Sequence, residues 1–297
     1  VPLSPQAITP ENAGQVQALN CVQGRVTGRL AFSPDGRLLA VAAGYGVSLY
    51  DARSLAEVQR LDTPAHTRDR DHYFYHVWSV AFAPDGATLA AGNSFGWVHI
   101  WRVGEPEPLR DIQTRQIAVV ALAFSADGET LATASFTHKT VRIWRVADGE
   151  LLRTLEGFQQ GPTRGRPQQT HVAFSPDGSM LAWAANDQVN LWRVSDGRLL
   201  RRFSRAAGPV RSLAFSPDGT TVATGHSGLA TVWRVADGAW LCTIEAPHPD
   251  HRYLSVALAP GSAIVALSDI SLARVSDGVL VRRQSPPKHR GPTSGLA

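Results

Sequence analysis

A chain of 297 residues, 43% apolar and 18% charged, carries enough apolar material for a folded core and is too rich in it for disorder. Its two cysteines, Cys21 and Cys242, exclude a disulfide framework and a cysteine metal knuckle, and they read as two buried free thiols. The formal charge of +4 comes from arginine, because Lys139 and Lys288 are the only lysines, and arginine suits forked and interface contacts more than simple solubility.

Taken in chain order, the opening segment from Ile8 to Leu19 reads like the end of a unit. It has a strand residue, a turn at Asn12-Ala13-Gly14, and an outer strand at 15–20. From Leu30 the phrase LAFSPDGRLLAVAA alternates apolar and polar residues, turns at Pro-Asp-Gly and alternates again, which predicts a β-hairpin. VSLYD from Val47 supplies a third strand. The phrase then recurs as VAFAPDGATLAAGN from Val80, LAFSADGETLATAS from Leu122, VAFSPDGSMLAWAA from Val172 and LAFSPDGTTVATGH from Leu213, with a decayed sixth copy from Val256. Third strands end in an aromatic at VHIWR, VRIWR, VNLWR and ATVWR, and a second turn, VADG or VSDG, leads into a short amphipathic strand such as ELLRTL from Glu150. Each unit is therefore four antiparallel strands, starting near residues 28, 78, 119, 170, 210 and 254.

These copies resemble the WD40 repeat family over residues 8 to 284. The resemblance implies an all-β propeller of six four-stranded antiparallel blades, because one sheet cannot bury both faces and must stack on its neighbours. The seven-bladed alternative, with an incomplete blade, needs about thirty more residues than the chain supplies. Residues 1–284 read as one domain, with the strand at 15–20 available to help close the ring. Residues 285–297, rich in Pro, Gly and Ser, read as a flexible tail. The chain departs from the family pattern in one respect above all: arginine follows the tryptophan at Arg102, Arg145, Arg193 and Arg234, and only Tyr50-Asp51 keeps an acid. Blades held mainly by apolar packing are expected.

No pattern for catalysis stands out. Gly92-Asn93-Ser94-Phe95-Gly96 matches a hydrolase elbow, but it falls on a predicted turn between two strands rather than on a strand-to-helix turn. No phosphate-cradling loop or metal-ligand spacing occurs, so no enzyme activity, no cofactor and no metal site are expected. The longest apolar run, Ile117 to Phe124, is too short to span a bilayer. The chain starts at Val1 and not at Met, so the compartment stays open: cytoplasmic, or exported after removal of a leader.

The links between units carry the functional signal. The phenylalanines that end first strands are 50 residues apart from Phe32 to Phe82 and from Phe124 to Phe174, against 41 to 43 at the other junctions. The extra residues lie at 62–76 and 157–170, and a third distinctive link spans 246–253. In a propeller these links share a face with the turns between second and third strands. They place Arg68, Arg70, His72, Tyr73, Phe74, Tyr75, Arg164, Arg166, His248, His251, Arg252 and Tyr253 as candidate partner-binding residues, of types that interfaces favour. The reading is a non-catalytic scaffold or sensor module that binds a protein or peptide and is monomeric in isolation. Two alternatives stay open: nucleic-acid binding by the Arg and aromatic loops, and metal or small-molecule sensing by a rim of His66, His72, His76, His138, His171, His226, His248 and His251. Tyr73 to Tyr75 equally suit packing on a neighbouring unit of the same chain.

Overall fold

The computed structural model describes residues 30–64, 76–135, 140–156, 170–203, 208–245, 256–259, 264–267 and 272–282. Among them every regular element is a strand, and the strands form six four-stranded antiparallel sheets. Blade 1 comprises β1 (Leu30–Phe32), β2 (Leu38–Ala43), β3 (Gly46–Asp51) and β4 (Glu57–Asp62). Blade 2 comprises β5 (Val77–Phe82), β6 (Thr88–Asn93), β7 (Trp97–Arg102) and β8 (Pro108–Gln113). Blade 3 follows with β9 (Val119–Phe124), β10 (Thr130–Ser135), β11 (Thr140–Arg145) and β12 (Leu151–Glu156). Blade 4 is built from β13 (Thr170–Phe174), β14 (Met180–Ala185), β15 (Gln188–Arg193) and β16 (Leu199–Phe203). Blade 5 contains β17 (Ser212–Phe215), β18 (Thr221–Gly225), β19 (Leu229–Arg234) and β20 (Trp240–Glu245). Blade 6 ends the series with β21 (Val256–Leu258), β22 (Ile264–Leu267), β23 (Leu272–Arg274) and β24 (Leu280–Arg282).

The first turn is written into a Ser-Pro-Asp-Gly sequence in three units and Ser-Ala-Asp-Gly in a fourth. Ser33 Oγ donates to Asp35 Oδ1 at 2.6 Å and accepts the Leu38 amide at 2.9 Å, while Asp35 accepts the Arg37 amide at 3.0 Å. Gly36 closes the turn at φ +70. The same bonds recur at Ser125 with Asp127, Ser175 with Asp177 and Ser216 with Asp218. The serine hydroxyl bond, helped by backbone amides, holds Asp35, Asp127 and Asp177 below the usual carboxylate value.

The second turn explains the arginine that follows tryptophan. Arg145 lies 2.7 Å from Asp148, and the same three-residue pairing joins Arg193 to Asp196 at 3.0 Å, Arg234 to Asp237 at 2.9 Å and Arg274 to Asp277 at 2.8 Å. Both partners are exposed in every case, so each pair adds at most about 1 kcal/mol. Its effect is to fix the turn between third and fourth strands. A register shift occurs in the third-to-fourth strand pairing of every blade, immediately before the aromatic or its equivalent.

The core is divided among the junctions between blades. One face of each blade, its trailing face, packs on the leading face of the next. Ala40, Ala42, Val47, Leu49 and Leu61 of blade 1 meet Val80, Leu89, Ala91 and Trp101 of blade 2. Ala90, Val98, Ile100 and Ile112 of blade 2 meet Leu131 and Trp144 of blade 3, and Val141, Ile143 and Leu155 of blade 3 meet Leu181, Trp183 and Trp192 of blade 4. Ala182, Ala184, Leu191 and Phe203 meet Val222 and Trp233, and Ala223, Ala230, Val232 and Ile244 meet Val256, Leu258 and Val265. Apolar packing thus dominates, as the sequence predicts. It is supplemented by indole bonds in two blades, from Trp144 Nε1 to Thr133 Oγ1 at 2.9 Å and from Trp183 Nε1 to Thr170 Oγ1 at 2.8 Å.

A polar clamp crosses most junctions at the outer strands. Gln59 Nε2 donates to the Glu105 carbonyl at 3.0 Å, and Arg110 donates to the Asp148 and Ala147 carbonyls at 3.0 and 2.7 Å. Arg153 donates to the Ser195 carbonyl, and Arg201 to those of Val235 and Ala236. In each case the outer strand of one blade reaches the second turn of the next. Inner strands lie side by side in chain order, β1 on β5, β5 on β9, β9 on β13, β13 on β17 and β17 on β21. Among the described residues no comparable contact joins blade 6 to blade 1.

Candidate functional site

The links between blades and the turns between second and third strands are tied together on one face. Thr63 donates from both its amide and its hydroxyl to the Tyr45 carbonyl, at 3.0 and 2.6 Å, and the Val77 amide donates to the Gly44 carbonyl at 3.1 Å. The His76 amide donates to Ser94 Oγ at 3.2 Å. Both stems of the 65–75 link are therefore bonded to the second-to-third strand turns of blades 1 and 2. The shorter link from Thr114 to Ala118 is anchored in the same way, with Thr114 Oγ1 donating to the Gly96 carbonyl at 2.7 Å and the Ala118 amide to the Ser94 carbonyl at 3.1 Å. Gly96 is required there: it sits at φ +79, and a Cβ would lie 1.8 Å from the Gln116 carbonyl oxygen.

Three large apolar side chains, Tyr45, Phe95 and Ile117, stand exposed on these turns and links. Sequence reasoning did not select them. The signal was available for two, an aromatic beside glycine in the turns Gly44-Tyr45-Gly46 and Phe95-Gly96.

The twelve candidate residues of the long links, Arg68, Arg70, His72, Tyr73, Phe74, Tyr75, Arg164, Arg166, His248, His251, Arg252 and Tyr253, lie outside the described residues. So do His66 and His138 of the histidine rim. The three rim histidines that are described do not converge. His76 stands edge-on to Trp78 at 6.5 Å between ring centroids, and His171 is buried on β13. His226 is buried between Thr224 Oγ1 at 2.8 Å and the Gly208 carbonyl at 3.0 Å. Burial lowers the pKa of His226 and the Gly208 carbonyl opposes that shift, so the ring is held toward neutrality. Among the described residues no three His, Cys, Asp or Glu side chains group as metal ligands.

His99, Asn93 and Ser94 have structural partners. His99 is fully buried on β7, with Nδ1 2.6 Å from Asp111 Oδ1 on β8 and its ring stacked on Trp97. The Gly-Asn-Ser-Phe-Gly segment is the second-to-third strand turn of blade 2, and Asn93 Oδ1 accepts the Phe95 and Trp97 amides at 2.9 and 3.0 Å. Ser94 is occupied as an acceptor for His76, on a turn with no helix behind it. Cys242 is a free, buried thiol whose pKa burial pushes up to about 11, with Asp277 adding to the shift. Cys21 lies outside the described residues.

A family model for the N-terminal domain of nucleolar protein 10-like proteins, a β-propeller, matches residues 9–191, and a WD domain, G-beta repeat model matches residues 197–234. The chain belongs to the WD40 β-propeller family. A WD repeat-containing protein from Synechocystis is 33% identical over 176 residues, covering 58% of this chain and 45% of the relative. The target of rapamycin complex subunit wat1 of Schizosaccharomyces pombe is 31% identical over 162 residues, covering 54% and 46%. The WD40 chain thus spans less than half the length of these relatives. A chain in a crystal structure of a mitotic checkpoint complex superposes with a TM-score of 0.71 at 22% identity, over 89% of this propeller and 78% of that chain, and shows the shared fold. WD40 propellers generally serve as protein-interaction scaffolds and are generally not enzymes.

Proposed function

We propose that this propeller is a non-catalytic scaffold that binds a protein or peptide through the face bearing the links 62–76, 157–170 and 246–253. The observation that carries the reading is the anchoring of residues 63 and 76–77 on two neighbouring turns, together with the exposure of Tyr45, Phe95 and Ile117 on those turns and on the 114–118 link. Aromatic and aliphatic groups on a rigid support bury large area with little loss of conformational freedom, as binding anchors do. Tyr73, Phe74, Tyr75, Arg68 and Arg70 extend the same composition along the link, and Arg164, Arg166, His248, His251, Arg252 and Tyr253 contribute from the other two.

The arginine chemistry supports a protein partner over nucleic acid. Arg110, Arg153 and Arg201 are engaged with carbonyls across junctions, and Arg145, Arg193, Arg234 and Arg274 pair with aspartates within turns. These seven arginines of the described residues are therefore engaged within the propeller rather than free to track a phosphate backbone. Affinity capture with the intact chain and with a variant whose 65–75 and 157–169 links are replaced by short Gly-Ser connections tests the face. Loss of the captured partner in the variant is expected, and equal capture by both proteins rejects it.

A further inference from the structure

Between β8 and β9 the chain passes from blade 2 to blade 3 through Thr114 to Ala118, and alternate residues of this link are fixed from inside. Thr114 donates from its amide and its hydroxyl to the Gly96 carbonyl at 2.9 and 2.7 Å, and its own carbonyl accepts Arg142 of β11. Gln116 is buried, and its side chain accepts Thr133 Oγ1 at 3.1 Å and donates to the Thr140 carbonyl at 3.2 Å. The Ala118 amide donates to the Ser94 carbonyl at 3.1 Å. The residues between these anchors, Arg115 and Ile117, are left outside and exposed. Four non-glycine residues among those described take a left-handed backbone, and Arg115 at φ 53 and Ala118 at φ 56 are two of them. That conformation is unfavourable for any residue with a Cβ, and it collects where a structure uses it.

Phe95 belongs to the same surface. Its neighbour Ser94 is bonded to Ala118, and Gly96 lies so near Gln116 that a Cβ would meet the Gln116 carbonyl oxygen. Phe95 and Ile117 are thus each flanked by residues in contact, which sets their exposed side chains next to one another. The charge beside them is not neutralised from within. Arg145, Arg193, Arg234 and Arg274 each meet an aspartate, whereas the guanidinium groups of Arg115 and Arg142 meet no carboxylate among the described residues. Arg142 Nε is buried without a hydrogen-bond partner. Asp111, on the strand that leads into the link, is taken by His99 at 2.6 Å.

We propose that Phe95, Arg115 and Ile117 form a docking point for an acidic peptide segment, in which an Asp or Glu carboxylate meets the Arg115 guanidinium and a large apolar side chain nearby covers Phe95 and Ile117. The site rests on the reading that this face is the binding one, and adds the chemistry of what it takes. A guanidinium pairs with a carboxylate through two parallel bonds, and Arg142 beneath the link adds positive field in the same place. A nucleic-acid strand fits less well, since it asks for a row of exposed cations and Ile117 offers no ring for a base to stack on.

The test is an array of synthetic peptides with Asp or Glu at varied distances from Leu or Phe in a Gly-Ser background, read with the fluorescently labelled intact chain. Matched spots carry Asn, Gln or Lys in place of the acids. Stronger binding to the acidic spots is expected. With the best of these peptides followed by anisotropy, Arg115→Glu and Ile117→Asp are each expected to weaken binding about tenfold or more. Arg115→Glu is also expected to move the array preference to the lysine spots. Arg115→Gly separates recognition from structure, because glycine takes the left-handed backbone freely. Its melting temperature is expected to match that of the parent while binding is lost, and Arg115→Lys to recover part of the binding. Replacing the long links is expected to leave peptide binding in place, so partner capture through those links and this site can fail separately. No preference for acidic spots, undiminished binding by Arg115→Gly, loss of peptide binding with the long links, or tighter binding of oligothymidylate than of the peptide each overturns the proposal.

Discussion

Leu155 gives a sharp test of how the blades hold one another. It lies on the outer strand of blade 3 and is 1% exposed, in a cluster with Ile143 of its own blade and Leu181, Trp183 and Trp192 of blade 4. Leu152, three residues earlier on the same strand, is 37% exposed. Leu155→Ala removes three carbons from a site that two sheets enclose, so transfer and cavity contributions together are about 3 kcal/mol. For a chain of this size each kcal/mol moves the midpoint by about 2–4 °C, so the melting temperature is expected to fall by about 6–12 °C. Leu152→Ala removes the same atoms from a half-solvated site and is expected to cost under about 1 kcal/mol. Differential scanning calorimetry on parent and both variants reads the contrast directly. Equal shifts, or a larger one for Leu152→Ala, refute the inward register of the outer strands and with it the division of the core among junctions.

Gly96→Ala is expected to destabilise by about 2 kcal/mol or more, because it combines a left-handed backbone with overlap on the Gln116 carbonyl; guanidinium denaturation checks it. His226 makes stability depend on pH near neutrality. Its folded pKa lies below the usual 6.5, so as pH falls through about 6.5 the unfolded chain takes up a proton that the folded chain does not, and stability is lost. Melting temperatures at pH 7.5 and 5.5 are expected to differ less in His226→Asn than in the parent. With its pKa pushed up to about 11, the Cys242 thiol is expected to react slowly with iodoacetamide at pH 8 in the folded chain and rapidly in denaturant, as peptide mass mapping would report.

The fold was legible because its determinants are local. Ser33, Asp35 and Gly36 are neighbours in sequence and make their turn among themselves, so the phrase that encodes the hairpin can be read without knowing what surrounds it. The period of the aromatic third strands followed from the same logic. Contacts that depend on how one blade meets another were hidden. Nothing in the sequence marks Arg110, Arg153 and Arg201 as reaching across junctions, whereas the arginines after tryptophan read as a departure from the family although Arg145, Arg193 and Arg234 make a purely local pair with an aspartate three residues on. Tyr45, Phe95 and Ile117 lie on short turns and a short link, which carry no length signal although they share the face of the long links.

The outer-strand clamps of blades 1 to 4 all point one way, each toward the blade that follows it. A row of hooks with a common direction makes the two ends of the array unequal. Among the described residues, deleting the final unit breaks no such clamp, because Cys242 stands at the clamp position of blade 5, whereas deleting the first strips blade 2 of the grip that Gln59 has on its second turn. Fraying, shortening by evolution and circular permutation should therefore start more readily from one terminus than from the other.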